Sequence, residues 1–517
     1  PNDDNGYDIS DYREIMREFG TMEDFDRLLK EIHKREMRLV LDLVVNHTSD
    51  EHPWFEEARK SRHNPYYNYY HWWPAEKGEP PLRLSYFDEE GNAWMYNKST
   101  DSYYLHYFSR KQPDLNWENP EVRQEIFDMM RFWFDKGIDG FRMDSISLIA
   151  KDPSFPLIDS KKYPDIFSFY AKEPRLHLYL HEMNRQVLSI YDCMSVGEGS
   201  AVMVDDVAKF VDPAREELNM LYHFDAARIR NTTLPDNPES GIDYSLIALK
   251  KMFTEWDKAV DKGWPSIYLG NHDQPRMVSR FGSDKDEFRA LSAKMLITFL
   301  LTMRGTPYWF AGDEIGMRNI RFDRIEDYND IDTINRYKKA KAEGKDPQAV
   351  LDEQKETGRD NARTPFQWDR SPEAGFTAGT PWLKVNPDYT WINVADEEKD
   401  PTSILNYFKK VVSFRKENPS LIYGSYHLLD AENPQCYIFL RKTGADTYLI
   451  MLNFSPKAAI STPGIDMSNA HVLLDNYGDR SHMAPQKDIT LRPFEAIVFQ
   501  LNHPVYESFI DSLDLLE

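Results

Sequence analysis

The chain has 517 residues and a formal net charge of -23, and 41% of its residues are hydrophobic. This length allows a large core and about two to four domains. The negative charge disfavours nucleic acids and other polyanions as partners, and no apolar run of about 18 residues is present to span a membrane. Cys193 and Cys436 are far apart and form no metal or redox pattern, which excludes a disulfide framework. We expect the protein in the cytoplasm, with the periplasm as the alternative compartment.

The first residues, Pro1-Asn2-Asp3-Asp4, look like the middle of a loop, so we expect an N-terminal segment to be missing. Residues 21–34 predict an amphipathic helix that begins with a capping box of Thr21 and Asp24. The nearly continuous apolar run at 39–47 is typical of a strand buried on both faces of a parallel sheet. A helix followed closely by such a strand indicates a β/α fold.

The same alternation of helix and strand returns later in the chain. It predicts helices at 121–136, 177–191, 246–260 and 289–303, and strands at 137–144, 194–198, 218–224, 266–273 and 307–310. Residues 318–400 are polar and loop-like apart from a helix near 327–341, and a last helix covers 404–415. The alternation predicts a β/α barrel.

Two segments do not follow this alternation. Residues 48–112 are rich in Tyr, Trp, Pro, Asn and His, and are predicted to form an irregular lobe inserted after a barrel strand. From Tyr423 onward, short alternating runs separated by turns predict an antiparallel β-sandwich, followed by a short helix in the acidic tail after His503. The predicted domains are the barrel at 1–47 and 113–420, the lobe at 48–112, and the sandwich with its tail at 421–517.

Polar residues follow four strand-like runs of the predicted barrel, namely His47, Asp144, Glu198 and Asp273. In such barrels the catalytic residues lie at the carboxyl ends of the strands. Arg142 shares one face of its strand with Asp144, because side chains alternate along a strand, and would hold Asp144 ionised. For this pair alone a structural ion pair is the simpler interpretation, but three carboxylates on one rim predict an acidic site.

Glycoside hydrolysis requires two carboxyl groups on either side of a sugar bond. Asp144 would be the nucleophile, and Glu198, partly buried after an apolar strand, the general acid and then base. Asp273 would favour the developing positive charge, and His47 and His272 would bind hydroxyl groups. The same residues can be drawn as a metal cluster, but no HxH or HExxH spacing is present, so we expect no metal site.

Several segments of the chain resemble the signature regions of the alpha-amylase family of glycoside hydrolases. Four of them are Val44-Val45-Asn46-His47, Gly140-Phe141-Arg142-Met143-Asp144, Val196-Gly197-Glu198 and Leu269-Gly270-Asn271-His272-Asp273-Gln274-Pro275-Arg276. Gln112-Pro113-Asp114-Leu115-Asn116 resembles a fifth region, characteristic of the oligo-1,6-glucosidase branch. The resemblance covers nearly the whole chain and includes Asp3-Asp4-Asn5-Gly6-Tyr7-Asp8-Ile9 and Gly358-Arg359-Asp360-Asn361-Ala362-Arg363-Thr364-Pro365.

The resemblance implies a (β/α)8 TIM barrel and a retaining, exo-acting alpha-glucosidase that acts on short oligosaccharides or disaccharides. It implies Asp144 as nucleophile, Glu198 as acid/base and Asp273 as transition-state stabiliser. It also implies a pocket for the terminal glucose that is formed by Asp4, Tyr7, His47, Arg142, His272 and Arg359. In that pocket Tyr7 would stack on the ring, while Asp4 and Arg359, rather than Arg363, would hold its far hydroxyls.

Some features depart from the family's pattern. The family's barrel has two strands before the loop of Asp4, and this chain lacks both. The loop that binds calcium in many members would lie there, so we expect no required cofactor and leave calcium as an alternative. Ser145 follows the nucleophile, where the 1,6-specific branch usually has Val, and residues 199–202 are also atypical. Because both positions lie near the second sugar, the preferred linkage stays open.

Three hypotheses of function follow, from different classes. The main one is hydrolysis of terminal alpha-linked glucose, and the second is a sucrose- or trehalose-converting transglucosidase or isomerase. Ala227-Arg228-Ile229-Arg230 lacks the Asp of the isomerase motif that it resembles, which favours hydrolysis. The third is a non-catalytic sugar-binding homologue, which the presence of all three carboxylates disfavours. The sequence predicts no oligomeric state.

Overall fold

The computed structural model describes residues 1–87, 91–163, 165–444, 446–465, 467–481 and 487–501. In chain order its α-helices are α1 (Met22–Lys34), α2 (Pro53–Ala58), α3 (Pro120–Lys136), α4 (Phe167–Tyr170), α5 (Arg175–Gln186), α6 (Ala208–Val211), α7 (Asp225–Thr232), α8 (Leu246–Ala259), α9 (Met277–Phe281), α10 (Arg289–Thr302), α11 (Ile331–Ala342), α12 (Pro347–Thr357), α13 (Asp360–Arg363), α14 (Val394–Glu397), α15 (Ile404–Glu417) and α16 (Ser420–Tyr423). The strands are β1 (Val40–Val44), β2 (Trp72–Pro74), β3 (Trp94–Asn97), β4 (Ser102–Leu105), β5 (Gly140–Asp144), β6 (Met194–Glu198), β7 (Met220–Tyr222), β8 (Ser266–Ile267), β9 (Thr306–Pro307), β10 (Ser425–Leu429), β11 (Cys436–Thr443), β12 (Asp446–Asn453), β13 (Ala459–Ser461), β14 (Ala470–Asp475), β15 (Ile489–Leu491) and β16 (Ala496–Leu501). The predicted tail helix after His503 lies outside the described residues.

The first of two compact units comprises Pro1–Phe224, Ala259–Trp264 and Asp330–Gly344. At its centre is a parallel sheet with the strand order β1-β5-β6-β7. The register places Asp42 of β1 beside Arg142 of β5, and Glu198 of β6 beside Tyr222 of β7. Because neighbouring parallel strands end at the same edge of a sheet, the ends of β5, β6 and β7 meet at one carboxyl edge.

Helices α1 and α3 form where the sequence predicts them. Thr21 and Asp24 make the capping box at the start of α1. Asn119 caps α3, and Gly137 ends that helix in the left-handed conformation, with φ of 107°. The rings of Phe25 and Trp133 meet edge to face at 5.1 Å, which packs the apolar faces of the two helices together.

Glycine at the start of β5 permits close packing of the central sheet. A Cβ atom on Gly140 would lie 2.3 Å from the backbone oxygen of Met194. Gly140 pairs with Met194 in the register of β5 and β6, so any larger residue would push the two strands apart. The glycine therefore helps to bring the ends of these two strands, and the carboxylates that they carry, to the same edge.

The predicted irregular lobe contains more regular structure than the sequence indicates. Strands β2, β4 and β3 form a small antiparallel sheet, and α2 precedes it. Buried aromatic residues form its core with a few aliphatic neighbours, including Trp94, Leu105, Tyr107 and Tyr170. The strands are only three or four residues long and lie among many aromatic residues, so their alternation is too short to stand out in the sequence.

The second unit comprises Asp225–Lys258, Pro265–Asn329 and the described residues from Lys345 onward. Strands β8 and β9 pair in parallel within it. The segment after β8 carries His272 and Asp273, and α13 with the residue before it carries Arg363 and Arg359. This unit therefore presents a third carboxylate with two arginines.

The C-terminal part of the second unit confirms the predicted sandwich. A five-stranded antiparallel sheet has the order β10-β11-β12-β16-β14, and β13 pairs with β15 in a separate two-stranded sheet. One hydrophobic core contains side chains of both sheets, among them Ile438, Met451, Ile489 and Phe499. Alternating short runs of apolar residues are thus a sufficient signal for this fold.

Some predicted boundaries are wrong by a few residues, and several helices were missed. The helix predicted at 177–191 ends at Gln186, and the strand predicted at 307–310 is only Thr306–Pro307. The longest of the missed helices is α12, which Asp346 caps ahead of Pro347 and which buries few side chains, so its apolar period is weak. Within the described residues no helix is long and apolar enough to cross a membrane. The three predicted domain boundaries stay predictions.

Candidate active site

Arg142 is the centre of the cluster at the carboxyl edge of the first unit. Its Nη1 donates to Oδ1 of Asp144 at 2.7 Å, and its Nη2 donates to Oε2 of Glu198. The same guanidinium donates to Asp42 at 2.7 Å and, through Nε, to the hydroxyl of Tyr222 at 2.8 Å. Asp144 and Glu198 are 7% and 6% exposed, so one arginine joins two carboxyl groups that are almost removed from solvent. This fork geometry is specific to arginine.

The charges of this cluster are strongly coupled. Burial and the neighbouring charge of Glu198 raise the pKa of Asp144, whereas Arg142 acts in the opposite direction. Arg142 favours the ionised form of Asp144, as expected from the sequence, but burial and repulsion between the carboxylates oppose it more strongly. A negative charge on Asp144 is therefore less favourable beside Glu198 than on an isolated aspartate.

His47 lies beside this cluster as a buried, neutral imidazole. Its Nε2 donates to the backbone oxygen of Tyr7 at 2.9 Å, and its Nδ1 is 3.1 Å from Nδ2 of Asn46. Because the amide nitrogen of Asn46 can only donate, Nδ1 is the unprotonated nitrogen. Burial lowers the pKa of His47 to about 4. The predicted contact of His47 with a sugar hydroxyl stays a prediction.

The buried ion pair of Lys151 and Asp114 fixes the side chain of Asn46. Lys151 donates to Oδ1 of Asn46 at 2.6 Å and lies 3.1 Å from Oδ2 of Asp114. Both ionic side chains are almost completely buried, and burial raises the pKa of Asp114 to about 6 against the opposite effect of Lys151. The amide orientation of Asn46, and through it the tautomer of His47, is fixed by this pair.

Gln112 connects the beginning of the chain to the same region. Its Nε2 donates to Oδ2 of Asp4 at 3.0 Å and to the backbone oxygen of Tyr7 at 3.1 Å. The Tyr7 hydroxyl donates to Asp42 at 2.8 Å, and the guanidinium of Arg142 lies over the Tyr7 ring at 5.6 Å. The first unit therefore brings Asp4 and Tyr7 into one network with the residues around Arg142.

Asp273 in the second unit has a different electrostatic environment. Its Oδ1 accepts from Arg359 at 3.1 Å and from Arg363 at 2.7 Å, and its Oδ2 lies 3.2 Å from Nε2 of His272. Burial raises the pKa of Asp273, but His272 and the two arginines together hold it well below its usual range. Arg363 also donates to the backbone oxygen of His272 at 2.8 Å. These contacts favour the ionised form of Asp273 and hold its carboxylate in one orientation.

Sequence reasoning missed two members of these clusters and left a third, which it considered, out of the predicted site. Asp42 is a charged residue within an apolar strand, which signals a buried partner, and the register with Arg142 identifies that partner. Tyr222 ends β7 as Glu198 ends β6, so its position on the carboxyl edge was available once the strand was assigned. Arg363 was weighed against Arg359, but the structure places both arginines on Asp273.

No arrangement for a metal ion is found in the described ranges of the chain, where no group of three or more His, Cys, Asp or Glu side chains is suitably placed. The expectation that no cofactor is required, and the alternative of calcium, stay predictions. The clustered side chains are carboxylates, arginines and histidines, which are groups that transfer protons and stabilise charge.

Comparison with known proteins gives consistent results. A family model described as the catalytic domain of alpha amylase matches residues 1–424. An oligo-1,6-glucosidase from Parageobacillus thermoglucosidasius is 50% identical over 515 residues, covering 98% of this chain and 90% of that protein. An oligo-1,6-glucosidase from Bacillus cereus is 47% identical over 511 residues, covering 97% and 90%. Among solved structures, the isomaltulose synthase SmuA from Protaminobacter rubrum has a TM-score of 0.91 at 41% identity, covering 97% of this chain and 90% of that one.

Proposed function

The chain belongs to the alpha-amylase family of glycoside hydrolases, and on that premise we propose that it is a retaining, exo-acting alpha-glucosidase. The chain has the fold class of this family, which is a β/α barrel followed by a C-terminal antiparallel sheet. The substrate that we propose is a short oligosaccharide with terminal alpha-linked glucose, as in the oligo-1,6-glucosidases to which the chain is similar. The observation that carries this proposal is the bridging of Asp144 and Glu198 by Arg142.

Two adjacent carboxyl groups, one protonated and one ionised, supply both reactants of a double displacement. In the first step Asp144 attacks the anomeric carbon and forms a glycosyl ester, while the bond from that carbon to the glycosidic oxygen breaks. Glu198 gives its proton to this oxygen, and the rest of the substrate leaves as an alcohol. In the second step a water molecule gives a proton to Glu198 and attacks the same carbon, which releases Asp144 as a carboxylate. Glucose then carries the oxygen of water, and both carboxyl groups return to their starting states.

The spacing of the two carboxyl groups supports retention. Retaining glycosidases have their carboxyl groups about 5 Å apart, whereas inverting enzymes need about 6.5 to 9.5 Å to admit a water molecule. In this chain the two terminal nitrogens of one guanidinium bind one carboxyl group each, an arrangement that fits the shorter spacing. A direct attack by Asp144 fits this arrangement.

The remaining site residues take supporting roles in the proposal. Asp273, ionised and held by two arginines, would stabilise positive charge on the sugar in the transition state. His47 and His272 would bind hydroxyls, and Tyr7 would stack on the ring. Asp4 and Arg359 would hold the hydroxyls at the far end of the terminal glucose, and thereby restrict attack to chain ends.

A second candidate function is sucrose isomerisation, because the isomaltulose synthase SmuA is similar in fold and sequence. The segment Ala227-Arg228-Ile229-Arg230 lacks the Asp of the isomerase motif that it resembles, which favours hydrolysis over isomerisation. In the structure Arg230 donates to Asp243 at 2.5 Å and to the backbone oxygen of Ser279 at 2.7 Å. Arg230 is therefore committed to contacts within the protein. The cytoplasmic location stays a prediction.

Relative rates on four disaccharides test the proposal. Isomaltose, maltose, nigerose and sucrose are incubated with the purified protein, and products are separated by chromatography. We expect isomaltose to be the best of the four and free glucose to be the main product from each. Conversion of sucrose into a new disaccharide with little free glucose would replace hydrolysis by isomerisation. A protein without turnover on any of them would refute the glucosidase proposal.

A further inference from the structure

The turn after β6 places a serine hydroxyl on the proposed acid/base. Ser200 lies two residues after Glu198, and its Oγ is 2.8 Å from Oε1 of Glu198. Residues 199–202 depart from the pattern of the family, and none of the catalytic roles proposed for the site belongs to them. Within the described part of the chain, Ser200 is the only hydrogen-bond partner of Oε1.

The two oxygens of Glu198 are in different surroundings. Oε2 accepts from Nη2 of Arg142, from the backbone nitrogen of Ser145 at 3.3 Å and from the hydroxyl of Tyr222 at 3.3 Å. A guanidinium and a backbone N–H can donate but cannot accept. The Tyr222 oxygen already accepts two hydrogen bonds from Arg142, at 2.8 and 2.5 Å. A proton on Oε2 would therefore face only donors, whereas a hydroxyl at Oε1 can both donate and accept.

We propose that Ser200 is the positioning residue of the acid/base Glu198 and that Oε1 is the oxygen on which the transferable proton resides. This inference rests on the proposed function and deepens it. When Glu198 is ionised, the Ser200 hydroxyl donates to Oε1. When Oε1 is protonated, the hydroxyl rotates and accepts, until the proton passes to the glycosidic oxygen. The reverse transfer from water returns the proton to Oε1, and Ser200 undergoes no net change.

The turn is built to hold Ser200 in place. The hydroxyl of the fully buried Ser147 donates to the backbone oxygen of Ser200 at 2.6 Å. The backbone nitrogen of Gly199 donates to the backbone oxygen of Tyr222 at 2.8 Å, and a Cβ at Gly199 would lie 2.9 Å from that oxygen. Ala201 has a φ of 61°, which is strained for a residue with a side chain. Backbone on both sides of Ser200 is therefore fixed.

The electrostatic neighbours of Glu198 define what a change at Ser200 can do. The titratable and charged groups around it in the first unit are Arg142, Asp144 and Tyr222, with Asp42 behind Arg142. None of these is altered by a substitution at Ser200. Removing a donor to the ionised carboxylate disfavours the ionised form, so the alkaline limb of activity moves to higher pH.

The test compares Ser200→Ala with the wild type on isomaltose and on dinitrophenyl alpha-glucoside, whose leaving group needs no proton. For Ser200→Ala we expect kcat/KM on isomaltose to fall about 5- to 20-fold and on the dinitrophenyl glucoside less than about 2-fold. The alkaline limb on isomaltose should move to higher pH by about 0.5 to 1 unit. Ser200→Thr keeps a hydroxyl group. It should restore the wild-type ratio of kcat/KM on the two substrates and the wild-type position of the alkaline limb.

Ser195→Ala is the matched control, because Ser195 lies on β6, the strand that carries Glu198, and its hydroxyl bonds to Asn219 rather than to Glu198. It should leave the ratio of kcat/KM on the two substrates and the pH profile unchanged. If Ser200→Ala does not fold, Ser200→Val is compared with the similarly shaped Ser200→Thr. An active wild type whose Ser200→Ala variant keeps the wild-type ratio and alkaline limb would overturn the role of Ser200 alone. A wild type inactive on both substrates would instead refute the proposed function, and this inference with it.

Discussion

Replacing Asp144 by Asn is expected to reduce kcat/KM on isomaltose by about 10^4-fold or more. An amide of the same shape keeps an oxygen that Arg142 can bind, but it cannot attack the anomeric carbon. Binding of the sugar should persist, since the rest of the pocket is unchanged. The measurement is steady-state turnover on isomaltose together with calorimetric binding of the same sugar.

The same substitution should not destabilise the protein at neutral pH. Burial and Glu198 raise the pKa of Asp144, so its contribution to stability is complete below the pKa of the unfolded chain, about 4, and is lost as the pH rises through the folded pKa. At pH 8 the wild type therefore carries a buried repulsion that Asn lacks. We expect Asp144→Asn to melt at the same temperature as the wild type or about 1 to 3 °C higher, with the difference disappearing toward pH 4.

Asp139, five residues earlier on the way into β5, provides the matched control. It accepts from Arg38 at 2.7 Å and from the backbone nitrogen of Leu39 at 2.8 Å. Burial raises its pKa, but these contacts and His33 lower it further than burial raises it. Asp139→Asn should consequently melt lower at neutral pH while keeping its activity. Activity of Asp144→Asn within about 100-fold of the wild type would refute its role as nucleophile.

Replacing Arg142 by Gln is expected to lower kcat/KM about 10^3-fold, the second largest effect. Its guanidinium donates hydrogen bonds to Asp42, Asp144, Glu198 and Tyr222 at once. Within the described residues of the first unit, no other cationic side chain forms a hydrogen bond or ion pair with Asp144. Because Arg142 lowers the pKa of Asp144, its loss should move the acid limb of kcat/KM to higher pH. Arg142→Lys should recover little, since an ammonium cannot reproduce the fork.

Arg27→Gln is a suitable control for Arg142→Gln, because Arg27 is exposed and pairs with Asp24 on the surface of α1. It should retain activity within about 2-fold and an unchanged pH profile. An acid limb that moves to lower pH in Arg142→Gln would contradict the electrostatic account of the pair. The pH dependence of kcat/KM on isomaltose decides between these outcomes.

Much of the scaffold around the site could be predicted from local signals in the sequence. The capping box of Thr21 and Asp24 gives the start of α1, and the run 137–144 gives the end of β5, although that strand begins only at Gly140. These elements are determined by neighbouring residues, through caps and apolar period. The same holds for Glu198 at the end of β6.

The contacts that define the site's chemistry could not be predicted in the same way. Asp42 and Tyr222 meet at Arg142 only because β1, β5, β6 and β7 pair in a particular register, which no local pattern encodes. The direction of the pKa of Asp144 likewise depends on how deeply two strands bury a pair of carboxylates. The role of Ser200 follows from the conformation of a turn. Tertiary register, burial and turn geometry are therefore what the structure adds.

Trapping the covalent intermediate shows whether Asp144 is the nucleophile. The protein is incubated with a fluorinated glucosyl fluoride, which forms a glycosyl ester quickly and releases it slowly, and is then digested and analysed by mass spectrometry. We expect one added fluoroglucosyl group, on the peptide that contains Asp144 and on the Asp144 side chain. A label on Glu198 or Asp273, or turnover of the reagent without any labelled peptide, would contradict it.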